Sequence, residues 1–207
     1  MNRSYSEAWY RYLGENAALE WMGVPVVKHP NDLWAYQQII FESKPDLIIE
    51  TGTFAGGSAL YFGHLCDLLK HGKVISIDLA TDKTLPYHDR VEFLAGVSSV
   101  SSEAISYVAK RAAGNRCMVI LDSAHNADHV FSELSRYSPF VSKGCHLIVE
   151  DTNRDGYFLA VGDIENGEGP LEAVKRFQPT NRGFERDERF DAWGFTQNPS
   201  GFFKRVR

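Results

Sequence analysis

Five short apolar runs recur along this chain: Asp46–Glu50, Lys73–Asp78, Val91–Gly96, Cys117–Asp122 and His146–Glu150. Each is continuous and rich in β-branched residues rather than alternating with polar ones, the signature of strands buried on both faces, as in a parallel sheet. Helical periodicity fills the gaps. Asp32–Ser43 sets Leu33, Tyr36, Ile39 and Ile40 on one side, with Asn31 or Asp32 available as N-cap, and Gly57–Lys70 repeats the pattern with Gly72 as its expected C-cap. Ser99–Ala113 and Asp128–Val141 complete the alternation. Strand–helix alternation of this kind predicts an α/β doubly wound sheet with right-handed crossovers.

The chain's end departs from that pattern. Trp193–Gln197 and Phe202–Val206 read as two strands joined by Asn198-Pro-Ser-Gly201, a strong turn signal, so at least one terminal strand is expected to run antiparallel. A Gly- and Asp-rich stretch, Asn153–Gly169, reads as a long loop over the active edge.

Charge and cysteine content narrow the class of function. Twenty-two Lys and Arg stand against 27 Asp and Glu, a net charge of −5. That balance argues against phosphate-backbone binding to nucleic acid and against residence on anionic lipid. No run approaches the ~18 consecutive apolar residues of a membrane span, and the N-terminus has no apolar core of a secretory signal. Cys66, Cys117 and Cys145 each sit in an apolar setting and read as buried free thiols of a reducing, cytoplasmic compartment. With 207 residues, a single domain is expected, divisible into an N-terminal helical segment (1–44, cap or oligomer contacts) and a catalytic body (45–207).

Ligands of open α/β sheets bind at the carboxyl ends of the strands. The acids Glu50, Asp78, Asp122, Glu150 and Asp151 are expected to gather there, where like charges repel unless a cation or polar ligand compensates them. The first strand–helix turn, Glu50–Ser58, carries Gly52 for a tight bend and Gly56-Gly57 at the opening of a helix whose amides face the site. Asp78, at the end of the second strand, can accept from both hydroxyls of a ribose. This pattern is shared by NAD and S-adenosylmethionine proteins. Phe54 in place of the middle glycine, and the terminal hairpin found in class I methyltransferase sheets, favour S-adenosylmethionine. Ser98, after the third strand, is placed near the adenine.

Strands ending at Asp122 and Glu150 should be neighbours about 4.8 Å apart. Asp122, Glu150 and Asp151 would then form a set of hard oxygen donors suited to Mg²⁺, or to Mn²⁺ as a close substitute. The alternative is that Asp122 binds the cofactor while Glu150 and Asp151 cap a loop. His125, three residues past Asp122 at the start of a helix, is expected to be neutral and basic there. His129 reads as a support for the site or as surface, and His29, His64, His71, His88 and His146 read as structural.

Gly23-Val-Pro25, the Pro30–Gln37 segment, Lys44–Gly52, Gly56–Ser58, Asp122-Ser-Ala-His125, Val149–Thr152 and Phe195–Gly201 together resemble the cephalosporin hydroxylase-like family. That family comprises S-adenosylmethionine-dependent O-methyltransferases and is similar to macrolide-sugar and mycobacterial sugar O-methyltransferases. The resemblance implies a class I methyltransferase fold, Mg²⁺ on Asp122, Glu150 and Asp151, and His125 as general base. The turn and the strand ends place Glu50, Gly52, Gly56, Ser58, Asp78, Ser98 and Asp122 as the expected contacts of S-adenosylmethionine. The expected reaction is transfer of a methyl group to a hydroxyl of a sugar or glycosylated small molecule by a homo-oligomer. Rival readings are a catechol or phenolic O-methyltransferase, an NAD-dependent oxidoreductase, and a non-catalytic binding protein.

Overall fold

A computed structural model describes residues 8–9, 11–12, 19–80, 84–153 and 168–207. A two-stranded antiparallel ribbon, β1 (Leu19–Trp21) with β2 (Val24–Val26), precedes helix α1 (Pro30–Ser43), so the segment before residue 45 combines ribbon and helix. His29 caps α1 by accepting the Asn31 N–H at 3.2 Å on Nδ1, where Asn31 or Asp32 was expected. Pro30 follows at the first helical turn, where its missing N–H costs nothing.

The alternation read from the sequence appears as β3 (Leu47–Thr51), α2 (Gly57–Leu69), β4 (Lys73–Asp78), β5 (Val91–Ala95), α3 (Ser102–Ala112), β6 (Cys117–Leu121), α4 (Ala127–Tyr137) and β7 (His146–Val149). Helix α5 (Pro170–Phe177) leads to β8 (Phe184–Arg186) and β9 (Phe202–Arg205). The seven strands lie in the order β5-β4-β3-β6-β7-β9-β8, the first five parallel and the β7–β9 and β9–β8 pairs antiparallel. Every residue of β3, β6 and β7 is buried, which is why these strands read as unbroken apolar runs. The chain works outward from β3 to β5 and returns to β6 on the other side, so the sheet's topological switch point falls between the carboxyl ends of β3 and β6.

Two local expectations are corrected. Helix α2 ends on Lys70 in the left-handed conformation, not on Gly72. Gly72 instead bends the chain so closely past Pro45 that an added Cβ would lie 2.8 Å from its carbonyl oxygen. The antiparallel pair is β8 with β9, and residues 193–197 form no strand. Polar contacts draw that segment away from the sheet: Thr196 Oγ1 and the Gln197 N–H donate to the Asp32 carboxylate, and Gln197 Oε1 accepts the His29 N–H at 2.7 Å. Asn198 continues the attachment by donating to the Tyr36 hydroxyl at 2.8 Å. Of the loop expected over Asn153–Gly169, residues 154–167 lie outside the described residues.

Candidate active site

Gly52 stands at the switch point with φ +86°, and a Cβ there would lie 1.7 Å from the Asp122 carbonyl oxygen. No side chain fits. The turn from β3 into α2 therefore closes directly on the end of β6, bringing the glycine-rich turn beside Asp122. Asp78 braces the turn from the β4 side: Oδ2 accepts the Thr53 and Phe54 N–H groups at 2.9 and 3.0 Å, and Oδ1 accepts that of Ala80 at 2.9 Å. These bonds hold Phe54 at φ +49°, a costly conformation for an aromatic residue.

A cleft of about 250 Å³ opens beside this turn, lined by Gly52, Asp78, Ser98, Ser99, Ser123 and His129 among others. Gly52, Asp78 and Ser98, which the sequence reading assigned to the cofactor, all line this cleft. Glu50 and Ser58 do not line it. Glu50 is fully buried beneath the turn, where it accepts from Ser76 Oγ at 2.6 Å and faces Ser58. Burial pushes its carboxyl up to about 7, against the pull of Lys28 and the two hydroxyls. Gly56, at φ +84°, is the N-cap of α2 and shapes the turn. A larger groove of about 770 Å³ lies at the opposite, amino-end edge of the sheet, between Asp46, Lys73, Arg90 and Arg111, away from every acid of the site.

Parallel pairing of β6 with β7 carries Asp122, Glu150 and Asp151 to one edge, as the spacing required. Asp151 adopts φ +56°, strain that is met by its N–H donating to Asn198 Oδ1 at 2.9 Å. His125 Nε2 lies 2.9 Å from Asp151 Oδ2 and 3.8 Å from Asp122 Oδ1. Asp122, His125 and Asp151 each offer a ligand atom within 4.8 Å of the others.

Glu150 has a different partner. Lys28, absent from the sequence reading, enters from the link between β2 and α1. Its Nζ contacts Asp122 Oδ2 and lies 2.8 Å from Glu150 Oε2, with only 3% of the lysine side chain exposed. Burial opposes its charge, but Asp122, Glu150 and Glu50 outweigh that and keep the ammonium protonated. Asp122 is burdened by burial too, yet Lys28 and His125 hold it below the usual carboxylate range. Glu150 is driven well above that range by burial and by Asp122. A lone lysine between Val27 and His29 gives no local signal. The signal was global: five acids at one edge demand a counter-charge.

The expectation of a neutral His125 is corrected for the metal-free site. Burial pulls the imidazole down, but Asp122 and Asp151 outweigh it and raise His125 to about 9. Helix α4 begins only at Ala127 behind its Asn126 cap, so two adjacent carboxylates overwhelm the half-charge of a helix that His125 does not enter. The other histidines are structural, as expected: His64 accepts from Trp21 Nε1 at 2.9 Å, and His71, His88 and His146 pair with Asp46, Asp67 and Asp187. His129 belongs to the cleft wall, its Nε2 3.0 Å from Ser123 Oγ and 3.2 Å from Ser99 Oγ, beside the fully buried Glu133. The His129–Glu133 spacing of four residues was the available hint.

The donors fit Mg²⁺. Asp122, Glu150 and Asp151 supply hard carboxylate oxygens, and Glu150 Oε1 is buried without a hydrogen-bond partner among the described residues. A cation there would relieve the burial cost that Glu150 carries.

Residues 14–206 match the family model described as rhamnosyl O-methyltransferase/CmcI. The chain belongs to this family. It is therefore an S-adenosylmethionine-dependent O-methyltransferase, as the sequence motifs implied, and the oxidoreductase reading falls away. It is 33% identical over 195 residues to the rhamnosyl O-methyltransferase of Mycobacterium tuberculosis, covering 89% of this chain and 77% of that protein. The Mycobacterium leprae protein of the same name is 32% identical over 191 residues, covering 89% of this chain and 82% of that protein. A CmcI structure with Mg and SAM superposes with TM-score 0.69 at 20% identity, over 91% of this chain and 77% of the other. MycE from mycinamycin biosynthesis, in complex with Mg, SAH and mycinamycin VI, gives 0.59 at 17% identity, over 98% and 54%. These likenesses establish the class I methyltransferase fold.

Proposed function

We propose that this protein methylates a hydroxyl of a sugar or glycosylated small molecule, with Mg²⁺ on Asp122, Glu150 and Asp151 and with His125 as general base. The observation that carries the reading is the convergence of Asp122, His125 and Asp151 within 4.8 Å, beside a cleft walled by Gly52 and Asp78. The relatives' rhamnosyl name supports a sugar acceptor.

When bound, S-adenosylmethionine supplies an electrophilic methyl group and Mg²⁺ supplies Lewis acidity that makes a ligated hydroxyl easier to deprotonate. The chain does the rest. Asp78 and the serines of the cleft hold the nucleoside, and the Gly52 turn sets its depth. The His125 imidazole receives the proton of the acceptor hydroxyl, a contribution typically worth 10²–10⁴-fold. Asp151, fixed by Asn198, orients that imidazole and stabilises it once charged. Holding donor and acceptor in contact supplies much of the remaining acceleration.

A cytoplasmic location and self-association belong to the same reading. Three buried free cysteines suit a reducing compartment, and Trp34 and Phe41, two turns apart on α1, are 64% and 60% exposed. No helix among the described residues is long and apolar enough to cross a membrane.

Radiolabelled S-adenosylmethionine, presented with rhamnose-containing glycosides and with catechols, tests the reading. Label should pass to a sugar hydroxyl, vanish in EDTA and return with Mg²⁺. Transfer to catechols alone would move the acceptor to the phenolic class. Binding of S-adenosylhomocysteine without transfer to any acceptor would support the binding-protein reading.

A further inference from the structure

Among the described residues, Lys28 is the one cation that the fold delivers to the buried side of the carboxylates, and three elements cooperate to deliver it. The β2–α1 link is pinned over the carboxyl edge by the His29 N–H bond to Gln197 Oε1 at 2.7 Å. Beneath it, the missing side chain of Gly57 lets β2 settle close on α2, since an added Cβ would lie 2.3 Å from the Pro25 carbonyl oxygen. Along the link Val26, Lys28 and His29 are 3%, 3% and 2% exposed, while Val27 faces outward at 42%.

The ammonium engages one oxygen of each of two carboxylates, Asp122 Oδ2 and Glu150 Oε2. The other oxygen of each points elsewhere. Asp122 Oδ1 faces His125 at 3.8 Å, and Glu150 Oε1 is buried with no hydrogen-bond partner among the described residues. A carboxylate tied back through one oxygen presents the second in a fixed direction, as partners behind metal ligands commonly do. The buried Tyr36 hydroxyl also bears on Glu150, but Lys28 is its charged partner.

We propose that Lys28 is a positioning residue of the metal centre, an internal cation that fixes Asp122 and Glu150 so that their other oxygens face a divalent ion. The inference rests on the reading of this edge as a metal site. Two opposing effects are at stake. An ammonium beside the site repels a second cation, whereas loss of the anchor leaves two buried carboxylates without a fixed direction. The anchor dominates, because an unpaired carboxylate at this depth either takes up a proton or turns away, and either outcome removes a ligand.

The test is metal uptake, measured without turnover. Mn²⁺ is titrated into the full chain with S-adenosylhomocysteine present, followed by the electron paramagnetic resonance of free Mn²⁺ and by calorimetry, for the wild type, Lys28→Met, Lys28→Arg and Asp151→Asn. Lys28→Met should weaken Mn²⁺ binding by 10–100-fold, leave S-adenosylhomocysteine affinity within about threefold, and raise the Mg²⁺ requirement for transfer more than it lowers kcat. Lys28→Arg, which keeps the charge, should lose less, and it also covers the case in which the methionine variant fails to fold. Unchanged or tighter Mn²⁺ binding in a folded Lys28→Met protein, or in Lys28→Arg when that is the only folded variant, with Asp151→Asn weakened, overturns the proposal and leaves the metal site standing. A wild type that takes up no Mn²⁺ overturns both.

Discussion

His125 owes its character to two neighbours rather than to its own position in the chain. In the metal-free protein, imidazole resonances followed by NMR should report titration at about 9, since Asp122 and Asp151 favour the charged ring. Asp151→Asn removes part of that attraction, so the value should move down toward the ordinary 6.5. No movement would mean that Asp151 does not set the basicity of the ring. His125→Ala should abolish transfer while leaving S-adenosylmethionine affinity within a few-fold, because the cleft walls do not include it. Asp78→Ala should weaken the cofactor at least tenfold, since the same carboxylate lines the cleft and ties three amides of the turn and its neighbour.

At the scale of elements, the switch between β3 and β6 is the tightest point of the fold. Gly52→Ala should disrupt both stability and cofactor binding, because relief of a 1.7 Å contact requires the two strand ends to part. Calorimetric unfolding together with S-adenosylhomocysteine titration measures both effects. The link from residue 195 to 201 is a second such element. Asn198 is fully buried, accepts from Asp151 and donates to Tyr36. Asn198→Ala removes a partner from the buried Tyr36 hydroxyl and from the Asp151 N–H, and should cost about 1–3 kcal/mol in urea unfolding. The same link explains why the terminal hairpin was only half legible. Phe202–Arg205 reads as a strand because Phe202 and Phe203 are both buried, one on each face of the sheet. Trp193–Gln197 has equal apolar content, but the buried Asp32 and His29 take its polar groups before the sheet can. Nothing local in either segment announces that choice.

The whole molecule responds to acid through groups distant in sequence. Burial depresses His29 to about 4, so its neutral form is the folded one. Its contribution is complete above the unfolded value of 6.5 and is lost as pH falls through that value toward 4, while the unfolded chain gains a proton that the folded chain refuses. Asp187, held below the usual range despite burial by Arg189 and His146, adds a loss at still lower pH. Thermal midpoints should therefore drop between pH 7 and 4.5, and less steeply in His29→Gln. An identical slope in the two proteins would remove His29 from the account. Cys66 and Cys117, raised to about 11 by burial, should resist thiol reagents at pH 8 until the chain unfolds.

Periodicity by itself determined the parallel strands and their helices, since burial on both faces leaves no polar residue in β3, β6 or β7 apart from their ends and His146. It also determined that acids would gather at one edge, because each closes a strand of the same direction. Only the tertiary structure decided what those acids do. Asp122, Asp151 and His125 meet in front. Glu50 turns under the turn to Ser76, and Glu150 turns back to a lysine more than a hundred residues away in the chain. Spacing along a strand fixes where a carboxylate begins. The charge that ends up beside it depends on every element folded against that edge.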